Sequence, residues 1–253
     1  MKSLSRFGVR TGAVAAGMAL AGLAPGLSFG APASFAFSFH DDFSSAVSEV
    51  IRLNGSQPAG ASVPWNASSN VGFRKEGDRG AVVARDQISF VGWVALPASD
   101  GTEKTARRIT IDGTLRPIPA EGKQNWVAIG FGSIPEKRTI QWAHGVFVLV
   151  GSKGLYEVLL NPTGGSDGLV SLQHGKISDV SPGNPPVAVP VRLVYDQVAH
   201  TLSLIVNHQS VMQDYAIDES RHFTPSTQAV GFSGYAQKTD APLLTEFSVS
   251  LSQ

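Results

Sequence analysis

The sequence predicts an all-β protein folded as a sandwich or closed barrel, and three observations carry that expectation. Apolar residues recur with a period of two over most of the chain, the spacing that sends alternate side chains to opposite faces of a strand. Glycine and proline make up 42 of 253 residues, above the usual share of about 12%, so turns are frequent. The one plausible helical turn, Asp218 to His222, is too short to cover a sheet. Strands without helices must bury their apolar faces against one another.

Phe35, Phe37 and Phe39 alternate with Ala36, Ser38 and His40, giving a first strand. The runs from Ile88 to Leu96, Trp126 to Phe131, Val146 to Val150 and Leu155 to Leu160 are apolar on both faces and read as interior strands. Between them Ile109, Ile111 and Leu115 alternate with Arg108, Thr110, Asp112 and Thr114, a strand with one wet face. Ser152-Lys153-Gly154 supplies a hairpin turn, since glycine takes the positive φ that a tight reversal needs. Val189 to Tyr195, Thr201 to Val206 and Val211 to Ala216, separated by two short turns, form a β-meander. Phe247, Val249 and Leu251 alternate with serines in a closing strand.

Composition removes several function classes. Lys+Arg and Asp+Glu both number 20, so the chain lacks the positive field of a non-specific nucleic-acid binder. The absence of cysteine excludes disulfides, thiolate zinc sites and cysteine nucleophiles. Lys2, Arg6 and Arg10 precede an uncharged stretch from Thr11 to Leu27 rich in Ala, Gly and Leu, the pattern of a secretory signal. Pro25, Gly22 and Gly26 interrupt it before a membrane span is reached. The expectation is a signal peptide over residues 1–33, its cleavage site not assigned to a residue, and one β-sandwich domain over residues 34–253. The mature form would have no membrane span and would be secreted, to the periplasm or the exterior.

Asp41-Asp42-Phe43-Ser44, Leu53-Asn54-Gly55-Ser56-Gln57-Pro58 leading to Trp65, and Trp126-Val127-Ala128-Ile129-Gly130-Phe131 resemble secreted bacterial proteins with a concanavalin A-like, LamG-type domain. Val191 to Asp196 with Leu202 to Asn207, and the final Gly231-Phe232 and Glu246 to Val249, are similar to later strands of that superfamily. The resemblance implies a jelly-roll sandwich of two antiparallel sheets, with first and last strands side by side. It does not imply one function, because this fold hosts lectins, glycan-binding modules, hydrolases and adhesion domains. The Glu-x-Asp-x-x-Glu strand of the laminarinase-like hydrolases is absent, and so is the acidic and Asn pattern by which legume lectins hold their metals.

The chemistry-bearing residues narrow the reading further. Gly164-Gly165-Ser166-Asp167-Gly168 spells a hydrolase elbow but is followed by a strand, not a helix. His200 and His208 lie eight residues apart, roughly 26 Å along a strand, too far for one zinc ion. Asp41-Asp42 offers calcium two oxygenated side chains, fewer than a hard cation takes, and reads as a strand ending in a turn; no cofactor is indicated. Trp93 and Trp126 sit in apolar runs and read as core. Trp65 and Trp142 lie in irregular or polar surroundings and are the candidate surfaces for stacking on a sugar, with Gln141 and His144 supplying hydrogen bonds. The expected function is an exported module that binds a glycan or cell-surface component without catalysis. The alternatives are a glycoside hydrolase or lyase using Glu157 and Asp112, and a structural or adhesive surface protein.

Overall fold

The computed structural model describes residues 35–85, 89–96, 108–117, 125–133, 144–163, 168–177, 187–221, 229–235 and 241–252. Sixteen strands lie among them. The first part of the chain contributes β1 (Phe35–Asp41), β2 (Ile51–Arg52), β3 (Asn66–Ala67), β4 (Val71–Glu76), β5 (Arg79–Ala84) and β6 (Ser89–Ala95). The middle contributes β7 (Arg108–Leu115), β8 (Trp126–Gly132), β9 (Gly145–Gly151), β10 (Leu155–Asn161) and β11 (Val170–Lys176). The last part contributes β12 (Val189–Asp196), β13 (Thr201–Val206), β14 (Gln209–Ala216), β15 (Ala229–Tyr235) and β16 (Pro242–Ser252). The expected helical turn is a 3₁₀ turn, Glu219–Arg221, and among the described residues no helix is long and apolar enough to cross a membrane.

The strands form two antiparallel sheets. One is nine-stranded, in the order β14-β13-β12-β7-β16-β5-β4-β2, with β1 also paired to β16; the other runs β11-β10-β9-β8-β15-β6-β3. The long β16 serves two partners on one side: Pro242 and Leu244 pair with β5, and Phe247 to Ser252 pair with β1. First and last strands therefore lie together, with Phe39 opposite Val249. All four runs apolar on both faces fall in the seven-stranded sheet, and β12, β13 and β14 form the meander.

Turn chemistry follows the sequence. Gly154 takes φ 71° between β9 and β10. Asn207 and His208, at φ 48° and 65°, are both left-handed, the geometry that two-residue hairpins adopt because its twist matches the flanking strands. Before β13, Asp196 accepts the backbone N–H groups of Val198 and Ala199 at 3.0 and 2.9 Å, closing the turn that ends at His200.

The core lies between the sheets. Trp65 is 1% exposed, with its ring 5.4 Å from Phe232 of the seven-stranded sheet and 5.5 Å from Phe247 of the nine-stranded sheet. Farther along, Phe131 of β8 stacks on Tyr195 of β12 at 5.1 Å and 22°. Burial, with the neighbouring Asp196 charge, pushes the Tyr195 hydroxyl up to about 12, and that hydroxyl lies 3.2 Å from Nδ1 of His200.

Candidate functional site

A strand that buries one face presents its other face to whatever lies outside the sandwich. In β6, Phe90 and Val94 are in the core, so Ser89, Val91 and Trp93 face outward. In β8 the core holds Val127, Ile129 and Phe131, which turns Trp126, Ala128 and Gly130 outward; in β15, Val230 and Phe232 turn Gly231, Ser233 and Tyr235 outward.

Cross-strand register arranges these residues in rows. At one end Ser89, Tyr235 and Trp126 lie side by side; next come Val91, Ser233, Ala128 and Leu149; then Trp93, Gly231, Gly130 and Phe147. The central strands thus lay down a floor of glycine, serine and alanine. Trp93 rises at one corner, Trp126 and Tyr235 at the opposite end, and Leu149 and Phe147 along the far side. Four residues along a strand and two strands across put the backbone positions of Trp93 and Trp126 about 16 Å apart. The floor is closed to solvent, with Val91 and Phe147 at 2%, Ser233 at 1% and Ala128 at 0% exposure, whereas Trp93, Trp126 and Tyr235 are half-buried and reach solvent. A Cβ at Gly130 would come within 2.3 Å of the Val146 carbonyl oxygen and 2.6 Å of Phe147 Cβ, so a larger residue would not fit there.

The outward aromatics differ from the inward ones in their partners. The ring contacts among the described residues join core aromatics to one another, and the Trp65 indole N–H donates to Asp41 Oδ2 at 2.7 Å. Trp93, Trp126 and Tyr235 make no ring contact and no side-chain hydrogen bond among the described residues. Each offers an apolar face and an unspent donor.

This geometry revises several expectations. Trp65 is not a surface residue: it fills the space between the sheets, and its only polar atom is committed to Asp41, so it has no face for a ligand. Trp93 and Trp126 are not core, because their strand parity points them outward. His144 is exposed, at φ 46°, one residue before Gly145, which places it just beyond the Trp93 end of the floor. Gln141 and Trp142 lie outside the described residues, as does Ser166 of the elbow spelling.

Glu157 and Asp112 are not a catalytic pair. Glu157 lies between core residues Tyr156 and Val158 on β10 and faces out of the seven-stranded sheet, whereas Asp112 faces out of the nine-stranded sheet. The sandwich separates them, while glycosidic hydrolysis needs carboxyls within about 5 to 9.5 Å. Nor do Asp41 and Asp42 fit a calcium ion. The Asp41 oxygens accept the Phe43 N–H at 2.8 Å and the Trp65 indole, and Asp42 accepts the Ser44 N–H at 2.9 Å. Those N–H donors occupy the approach a cation would need. Burial nevertheless lifts Asp41 above the usual carboxylate range, while the Ser44 hydrogen bonds hold Asp42 below it. Among the described residues, no three His, Asp or Glu side chains gather as a metal site would require.

Solved structures with the same arrangement of sheets decide the fold. Lectin II from Ulex europaeus superposes with a TM-score of 0.55 at 11% identity, covering 87% of this chain and all of that one. The fold is concanavalin A-like. Peanut lectin aligns at 0.52 and 16% identity over 85% of this chain and 97% of its own, and the lectin from Bauhinia forficata at 0.53 and 12% over 86% and 98%. At such identities the likeness of this concanavalin A-like chain to them is one of fold. No family model matches the sequence, and no curated protein does.

Proposed function

We propose that this protein is an exported, non-catalytic module that binds a carbohydrate on the outer face of its seven-stranded sheet. The observation that carries the reading is that Trp93, Trp126 and Tyr235 stand half-exposed and unpartnered around a floor of small residues. A pyranose ring has an apolar C–H face that stacks on an indole and hydroxyls that seek polar groups at the edge. Trp126 and Tyr235 hold one end of the saccharide. Trp93 holds the other, with His144 at the far corner of that end, three strands across, and the roughly 16 Å between the two tryptophan backbone positions suits an oligosaccharide rather than a single sugar. Similarity to the Bauhinia lectin, solved with GalNAc, and to Ulex lectin II, solved with galactose, supports a sugar as the ligand class. Export rests on the charged start and uncharged stretch within residues 1–33.

The test is a glycan array on the purified chain, with and without calcium, followed by calorimetry on the best oligosaccharide. Trp93→Ala and Trp126→Ala should each weaken binding about tenfold or more while the circular dichroism spectrum is kept. A blank array, or affinities indifferent to both substitutions, overturns the reading. For export, a fusion carrying residues 1–33 should leave the cytoplasm, and retention there removes that part.

A further inference from the structure

The nine-stranded sheet carries a second outward face with different chemistry. Register aligns His40, Ser248, Asp112 and Arg192 in one row across β1, β16, β7 and β12. They line a groove of about 490 Å³, the size of a small-molecule site. Ile205 and Pro190 contribute apolar lining, and His208 of the β13–β14 turn also lines it.

Hydrogen bonding in the groove is one-sided. Asp112 gives both oxygens to Arg192, at 2.6 Å to Nε and 3.3 Å to Nη2. Glu246 accepts from Arg79 through one oxygen and from Thr114 at 3.4 Å through the other. The acceptors are therefore engaged and each carboxylate is matched by a guanidinium. Donors remain: Arg192 has five N–H groups and uses two on Asp112. The side chains of His40, His208 and Ser248 make no hydrogen bond among the described residues. A ligand rich in acceptors complements this surface, and a planar or tetrahedral oxyanion matches the guanidinium fork. The groove is also far larger than a bare anion, with apolar contact from Ile205 and hydroxyls from Ser248 and Thr114 for the rest of the molecule.

We propose that this groove is a second binding site, separate from the aromatic face, for the carboxylate or sulfate group of an acidic saccharide, with Arg192 as the principal contact. Calorimetry on the full chain would compare an oligogalacturonate, a sulfated oligogalactose, neutral oligogalactose and sodium sulfate. At least one acidic oligosaccharide should bind, and tenfold or more tighter than either the neutral oligomer or free sulfate. Arg192→Gln should weaken that binding about tenfold or more, the size of a lost charge-assisted hydrogen bond. Asp112→Asn should leave it equal or stronger, because it removes a competitor for Arg192 and a repelling charge. At a neutral-sugar site both substitutions would weaken binding alike, and at a merely structural pair both would lower the melting temperature alike. Trp126→Ala should not change the acidic ligand's affinity, so failure here and failure of the aromatic face read out separately. Equal binding of the neutral oligomer, sulfate matching the acidic oligomers, or loss on Asp112→Asn overturns the assignment, as does absence of binding by both acidic ligands.

Discussion

Replacing Trp65 separates its role between the sheets from any role at the surface. Its ring touches Phe39, Phe43, Phe232 and Phe247 at centroid distances of 5.4 to 6.5 Å, and its N–H reaches a carboxylate of raised pKa. Trp65→Ala should cost about 3–5 kcal/mol, the range for a buried aromatic, out of a total of about 5–15 kcal/mol for such a domain. Trp65→Phe is more informative. Phenylalanine keeps most of the ring contact but leaves Asp41 without its indole donor, a loss of about 1.5–3 kcal/mol for a hydrogen bond to a charged group. Asp41→Ala removes the same bond from the other side. Urea unfolding followed by far-UV circular dichroism on both single variants and the double variant should then give a coupling energy of about 1.5–3 kcal/mol near pH 7. Below pH 3, with Asp41 protonated, the coupling should fall to about 0.5–1.5 kcal/mol, the value of a neutral bond. Additivity within about 0.5 kcal/mol at neutral pH, or weaker sugar binding by a Trp65→Phe chain that is still folded, would refute the placement of Trp65.

Three further outcomes follow from single features. Because burial raises Asp41, the folded state holds that proton more tightly than the unfolded state does. Its stabilising contribution is complete below pH 4 and is lost as pH rises through the folded-state value, so Asp41→Asn should remove that decline in a pH series of urea melts. A Cβ at Gly80 would meet the Phe43 carbonyl oxygen at 2.0 Å, a backbone atom that cannot swing aside. Gly80→Ala should lower stability by about 2 kcal/mol or more, whereas Gly113→Ala, facing only Ile129 and Leu244 side chains at 3.2 to 3.5 Å, should stay within about 1 kcal/mol of the parent by thermal melting. His208 is held at φ 65°, so His208→Gly should stabilise the hairpin by about 1 kcal/mol in the same melts while weakening any anion bound in the groove it lines.

The sandwich was legible because its evidence is local: β7 and β16 alternate buried and wet residues as their sequences alternate, and the turns at Gly154 and Asn207 carry the residues their φ values need. The site was less legible, for two reasons. Trp93 and Trp126 lie in runs apolar on both faces, where a period of two gives no sign of which parity meets the core. Only pairing to β15, whose Phe232 packs under Gly92, settles it. Trp65 presents the opposite case. Its neighbours Pro64 and Asn66 look like a surface loop, and its burial depends on Asp41, 24 residues earlier, and on Phe247 near the far end of the domain. The one signal available in sequence was glycine: Gly231 opposite Trp93, and Gly130 opposite Gly231, stand where a larger side chain has no room.

The placement of the aromatic face is therefore set by the core and not by contacts of its own. Sliding β8 by one residue would bring Trp126, Ala128 and Gly130 inward and turn Val127, Ile129 and Phe131 out to water. Each of those three side chains is 1% exposed, and burying one contributes about 1.5–3 kcal/mol, so the slip costs roughly 5–9 kcal/mol, comparable to the whole stability of a domain. The same parity on β7 and β16 keeps Asp112, Thr114, Glu246 and Ser248 outward because Ile111, Leu115, Phe247 and Val249 must be inward. Two faces of opposite character, one aromatic and one ionic, are thus held in register by the apolar layer between them. Substitutions on either face can therefore change its chemistry without moving a strand.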